Sequence, residues 1–151
     1  IGGGFALAYG FGTTGLGDYL ASVFSVVESI PGWVVIALIC LIITFLTELT
    51  SNVATIQMFL TALAALAVAQ NVNPLLFMVP ATVSASMAFM MPVATPPNAI
   101  VFGSQRLQII DMARVGLAIN LIGVALTTIA AQILVPLVFE TELGSIPVWA
   151  Q

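Results

Sequence analysis

The fold is decided by an apolar stretch at residues 34–69, which reads VVIALICLIITFLTELTSNVATIQMFLTALAALAVA. Its polar middle, TELTSN at residues 47–52, leaves arms of about 13 and 16 residues on either side. A full crossing takes about 20 apolar residues, so arms this short are more typical of a re-entrant helical hairpin than of two transmembrane helices. Polar, non-helical backbone at membrane depth is tolerated only where protein or a wet cavity surrounds it. The stretch therefore predicts a re-entrant hairpin at about residues 34–70.

A second interruption has the same character. Residues 91–99 read MPVATPPNA and lie between two apolar runs. Adjacent prolines remove two backbone donors and clash with the preceding turn, so a helix from about residue 75 to 91 must break there. We expect the helix to resume at about 99–103, and a final span to follow at about 112–139. Near the start, residues 1–11 predict a helix end and residues 16–30 a mildly amphipathic helix.

The composition places the whole chain in a membrane. Of 151 residues, 61% are hydrophobic and 5% are charged, and the mean hydropathy is +1.21. A soluble domain carries about 25% charged residues, so soluble, disordered and nucleic-acid-binding proteins are excluded. The chain has no histidine and one cysteine, which excludes His-based catalytic and zinc sites and internal disulfides. We expect Cys40 to be a buried, inert thiol.

Two interrupted helices suggest an ion-coupled transport site. Half-helix N-termini present N–H groups to an anion, and unwound carbonyls, amides and hydroxyls offer oxygen ligands to a cation. The structural alternative is that Ser and Thr bond to their own backbone and that Pro-Pro is a packing kink. No Arg or Lys occurs between Leu49 and Gln105, so the charge of a bound anion must be met by cations and helix dipoles.

Glu48 is the only carboxylate near either interruption. An intramembrane carboxylate is a functional candidate by default. It is interpreted as a proton carrier, a cation ligand or a group that caps the hairpin's own amides, and the sequence does not choose among these roles.

At these motifs the chain resembles the divalent anion/sodium symporters, which carry dicarboxylates, citrate or sulfate. The resemblance rests on residues 47–55 (TELTSNVAT), on 91–104 (MPVATPPNAIVFGS) and on 2–8 (GGGFALA), in the family's order. It implies an all-α transporter with two inverted repeats, each with a re-entrant hairpin. The chain looks like the C-terminal repeat, and the N-terminal repeat would not be part of it.

The resemblance also implies site residues. Ser51 and Asn52 match the family's hairpin tip, where Asn52 would face both a sodium ion and a substrate carboxylate. Val53 stands where the family has Thr, which removes one hydroxyl and leaves the backbone N–H. The implied sodium ligands are Thr47, Thr50, Asn52 and Ala94, and the implied substrate-binding residues are Ser51, Asn52, Val53, Thr95 and Pro96.

The resulting hypothesis is sodium-coupled symport of a di- or tricarboxylate by a multi-pass protein of the cell inner or plasma membrane, not an enzyme. The resemblance implies a homodimer of the full-length protein. The nearest alternative is a transporter of sulfate or another anion, or a proton-coupled exchanger, with the same hairpin architecture. A membrane enzyme lacks support, since there is no His, no intramembrane Asp pair and no Cys–His combination. A passive structural or channel subunit is the third alternative.

Overall fold

Five α-helices form the described part of the chain. The computed structural model describes residues 30–139, so the expected helix end at 1–11 and nearly all of the expected helix at 16–30 lie outside it. Every regular element within that part is helical, which confirms the all-α prediction. The helices are α1 Gly32–Thr47, α2 Asn52–Ala69, α3 Leu75–Ser84, α4 Pro96–Gly103 and α5 Ile109–Phe139.

The predicted polar tip is the connection between α1 and α2. Only residues 48–51 separate the two helices, and the Thr50 hydroxyl donates to the Leu46 carbonyl at 2.8 Å to close the end of α1. The α2–α3 connection covers residues 70–74. There Asn71 adopts a φ of 55°, and the Asn73 side chain accepts a hydrogen bond from Leu75 N at 3.0 Å. Asn tolerates the left-handed conformation better than most residues, which suits it to this turn.

Helices α1, α3 and α5 pack against one another, and α2 packs on α3. Ile36 and Ile43 of α1 and Phe77 of α3 are fully buried where these helices meet. Cys40 is buried beside them, as expected. Large side chains such as Ile133 and Leu137 remain exposed on α5. Among the described helices, Asn52–Ala69 and Ile109–Phe139 are long and apolar enough to cross a membrane.

The prediction of a helix from residue 75 to 91 was wrong at its C-terminal end. Helix α3 ends at Ser84, and residues 85–95 form an unwound segment before α4 begins at Pro96. The prolines explain only the far end of this segment, where Pro96 and Pro97 occupy the first positions of α4, as prolines often do. The near end depends on contacts with distant residues, which are described below.

Candidate substrate and cation site

An open cleft joins the two interruptions that the sequence analysis identified. It has a volume of about 540 Å³, within the range of roughly 300–1,000 Å³ typical of small-molecule sites. One wall is the start of α2 with the turn before it, and the other is the end of the unwound segment with the start of α4. The lining residues are Leu49, Thr50, Ser51, Asn52, Val53, Val93, Ala94, Thr95 and Pro96.

The α2 wall is rich in hydrogen-bond donors. Ser51 precedes the helix without a side-chain cap, and the first backbone bond of α2 runs from Thr55 N to Ser51 O at 2.8 Å. The N–H groups of residues 52–54 therefore have no intrahelical acceptor. These N–H groups lie at the positive end of the helix dipole, so this wall suits an anion such as a carboxylate.

The α4 wall has the opposite chemistry. Pro96 and Pro97 have no N–H, and the N–H of Asn98 is bonded to the Thr95 hydroxyl at 3.4 Å. The start of α4 therefore has no free donor in its first three positions, although it is also a helix N-terminus. No described hydrogen bond reaches the carbonyl oxygen of Ala94. This wall offers oxygen atoms, which suit a hard cation.

Asn52, on the α2 wall, contributes an acceptor without a partner among the described residues. Its side-chain Oδ1 is buried and makes no hydrogen bond within residues 30–139. A buried amide oxygen without a donor is costly unless a ligand or water supplies a partner. Asn52 and Ala94 both line the cleft, so their oxygens are candidate ligands for a small cation.

Asn98 holds the unwound segment in shape from α4. Its side-chain Nδ2 donates to the carbonyls of Ala88 at 2.7 Å and of Met91 at 3.0 Å. These two carbonyls have no helical partner, because α3 has already ended. The amide side chain thus replaces helical hydrogen bonds and closes the segment into a compact loop.

Glu48 binds the unwound segment from the other side. The residue is 4% exposed, and its carboxylate accepts hydrogen bonds from Met90 N on Oε1 and from Met91 N on Oε2, each at 2.9 Å. The Asn120 side chain of α5 donates to Oε1 at 2.7 Å. Glu48 therefore caps amides of the second interruption, whereas the sequence offered capping of the hairpin's own amides as one possible role.

Asn120 was missed by the sequence analysis. It is fully buried, and it lies in the middle of the final apolar span. Polar side chains within a membrane span tend to face protein and to hydrogen-bond across helices. The amide of Asn120 within an apolar span could therefore have indicated a hydrogen bond to another helix, although the sequence does not show that Glu48 is its partner.

The structure brings together seven of the eight predicted site residues. Ser51, Asn52 and Val53 line the α2 wall with Thr50, and Ala94, Thr95 and Pro96 line the α4 wall. Thr47 does not line the cleft. It is fully buried at the end of α1, and its hydroxyl donates to the Thr44 carbonyl at 2.9 Å.

Comparison with known proteins identifies the family. The family described as "Sodium:sulfate symporter transmembrane region" matches residues 1–139, which is most of the chain. The chain belongs to this family. A sodium-dependent dicarboxylate transporter of Staphylococcus saprophyticus, SdcS, is 46% identical over 143 residues, covering 95% of this chain and 28% of that protein.

Two human proteins show the same relationship. Na(+)/dicarboxylate cotransporter 3 is 44% identical and solute carrier family 13 member 1 is 43% identical, each over 150 residues that cover 99% of this chain. The chain spans about a quarter of the length of these relatives. Membership of this family confirms the recognition made from the sequence motifs.

Proposed function

We propose that the complete protein carrying this chain is a sodium-coupled symporter of a di- or tricarboxylate in the plasma membrane. The observation that carries the proposal is the pair of unlike walls around one cleft. The cleft is lined by Asn52 and Val53, whose N–H groups have no intrahelical acceptor, and by Ala94, whose carbonyl accepts no described hydrogen bond. An anion and a cation can therefore bind side by side, each on the wall that matches its charge.

The residue roles follow from the two walls. Ser51 and the Asn52 and Val53 amides would bind the anion from the α2 wall, and Thr95 and Pro96 would border it across the cleft without supplying backbone donors. Asn52 Oδ1 and the carbonyls of Thr50 and Ala94 would ligate sodium. The hydroxyl of Thr47 would join the sodium ligands only after rotating away from Thr44.

The membrane architecture is part of the proposal. At 1.5 Å per residue, the 16 residues of α1 extend about 24 Å, which is short of a hydrocarbon core of about 30 Å. A short α1 followed by the polar turn at 48–51 supports a re-entrant hairpin over about residues 34–70. The broken helix would cover about 75–103 and the final span about 112–139. A second, inverted repeat outside this chain and a homodimer complete the proposed transporter.

The name of the family supports sulfate as the alternative substrate, whereas two of the relatives are named for dicarboxylates. The cleft volume of about 540 Å³ accommodates either anion. A substrate scan therefore has to include both classes.

The deciding experiment is uptake by the purified complete protein in lipid vesicles. Labelled succinate, citrate and sulfate are offered under an inward sodium gradient, with potassium and choline gradients as matched controls. We expect concentrative uptake of a di- or tricarboxylate only with sodium. Equal uptake with all three cations would contradict sodium coupling. Uptake of sulfate alone would show that the substrate is sulfate and not a carboxylate.

A further inference from the structure

The last described helix, α5, touches the unwound segment backbone to backbone. A Cβ added to Gly116 would lie 2.6 Å from the Cα of Met90, in addition to meeting the Phe89 carbonyl. Real Cβ atoms do not approach backbone so closely, and backbone cannot move aside as a side chain can. Only glycine therefore permits this helix and this segment to lie so close together.

Asn120 lies one turn after Gly116, on the same face of α5. Its side chain donates to Glu48 Oε1, the oxygen that also accepts from Met90 N. The contact at Gly116 acts on Phe89 and Met90, and the hydrogen bonds of Glu48 act on Met90 and Met91, so the two interactions meet at Met90. Neither interaction involves a residue that lines the cleft.

We infer that Glu48, Asn120 and Gly116 are positioning residues that set the location of the Ala94 carbonyl in the cleft. The link is short, because Ala94 N donates to the Met91 carbonyl at 3.2 Å. A displacement of Met90 and Met91 therefore carries Ala94 with it. This inference rests on the proposed function, in which Ala94 supplies a sodium ligand.

The face of α5 also contains a matched control. Gly123 lies near Met87, and a Cβ there would be 2.7 Å from the Met87 sulfur, which is the end of a flexible side chain. The same sulfur accepts from the Thr127 hydroxyl at 3.7 Å. Gly123→Ala therefore makes the same change on the same helix but displaces a side chain instead of the segment's backbone.

The first test is the sodium dependence of dicarboxylate uptake by the complete protein, normalised to folded transporter. We expect Gly116→Ala to raise the half-saturating sodium concentration on the order of tenfold. The KM for dicarboxylate at saturating sodium should change much less, because the α2 wall is not displaced. Gly123→Ala should remain within about twofold of the parent on both measures. Equal sodium dependence in the two variants would overturn the inference.

A second measurement does not require transport and covers the case in which Gly116→Ala does not fold. Amide hydrogen exchange at Met90 and Met91 reports whether their N–H groups are held. Glu48→Gln replaces one accepting oxygen with a donor, so we expect exchange at these amides to accelerate on the order of tenfold. Asp111→Asn, which neutralises an exposed carboxylate at the start of α5, is the control and should leave it unchanged.

The two proposals fail in different ways. Unchanged exchange at Met90 and Met91 in Glu48→Gln would overturn the positioning role whatever the protein transports. If exchange accelerated in Glu48→Gln but the parent protein showed no sodium-dependent uptake, Glu48 would still position the segment. The sodium function and the role assigned to Ala94 would then both be contradicted.

Discussion

The two interruptions look alike in sequence but are built in different ways. The turn at 48–51 is closed by local contacts of the Thr50 hydroxyl with the Leu46 carbonyl and the Thr55 hydroxyl, although its Glu48 side chain also reaches the segment at 85–95. The segment at 85–95 is held by side chains from elsewhere, namely Glu48 on its amides and Asn98 on its carbonyls. The first interruption exposes donors to the cleft and the second exposes acceptors.

Because of this difference, the two helix N-termini at the cleft do not have the same affinity for anions. Both α2 and α4 begin at the cleft, and both have a dipole with its positive end there. Pro96 and Pro97 remove the N–H groups of α4, so its start has lost the donors that anion binding uses. The proposed cleft would thus bind ions of opposite sign, and none of its lining residues is basic.

The largest expected effect tests whether sodium joins the two walls. Because its proposed ligands come from both Asn52 and Ala94, sodium should stabilise the complete protein before substrate is added. A ligand at about 100 times its dissociation constant adds about 2.7 kcal/mol to the free energy of unfolding. Melting temperature in sodium is measured against potassium and choline at equal ionic strength. A melting temperature that is the same in all three salts would contradict a sodium site with ligands from both walls.

The next largest effect is expected from removing the Asn52 side chain. Asn52→Ala deletes an oxygen proposed for sodium and an amide proposed for the carboxylate. Hydrogen bonds to charged groups are worth about 1.5–3 kcal/mol, so both affinities should fall by roughly one to two orders of magnitude. Uptake is measured against sodium and against substrate concentration.

Gln57→Ala is the matched control for this change. It deletes an amide side chain from the same helix α2, at a position that does not line the cleft. We expect both affinities to stay close to the parent values. If Asn52→Ala kept normal sodium dependence, or if Gln57→Ala had the same effect, Asn52 would not be the residue that joins the walls.

The sequence predicted the first interruption well because its determinants are local. Polar residues at 47–52 mark the turn, and the start of α2 at Asn52 follows from them. The second interruption was predicted only from its prolines, which gave its far end. The end of α3 at Ser84 was missed, because the amides of Met90 and Met91 find their acceptor at Glu48, about 40 residues earlier.

The candidate site, like the fold, was predictable from the sequence only in part. Seven of its predicted residues line one cleft, because motif positions in the two interruptions meet there. The roles of Glu48 and Asn120 were not predictable, since each depends on which distant backbone or side chain lies beside it. A hydrogen bond between residues on different helices is a property of the packed structure, and periodicity and motif spacing do not encode it.

A smaller effect is expected from giving the α4 wall a donor. Pro96→Ala restores one N–H at the positive end of α4, facing the proposed cation. A charge near a helix end is worth about 0.3–1 kcal/mol, so the half-saturating sodium concentration should rise by up to about fivefold. The affinity for dicarboxylate should not fall, because a donor favours an anion.

Pro31→Ala provides the control, since Pro31 directly precedes helix α1 and does not line the cleft. We expect it to leave the sodium dependence unchanged. A fall in dicarboxylate affinity in Pro96→Ala, with sodium affinity intact, would show that the α4 wall does not have the cation-binding chemistry assigned to it.

An effect of similar size is expected at the one departure from the resemblance. Val53 lines the α2 wall and is 63% exposed, so Val53→Thr adds a hydroxyl without disturbing the core. A hydrogen bond contributes a net 0.5–1.5 kcal/mol, so the KM for dicarboxylate should fall about fivefold, with the half-saturating sodium concentration unchanged. Val93→Thr makes the same substitution on the opposite wall at a similarly exposed position, and it should leave that KM unchanged. Because the two variants differ only in the wall that carries the hydroxyl, an equal fall in KM for both would show that the anion does not distinguish the walls.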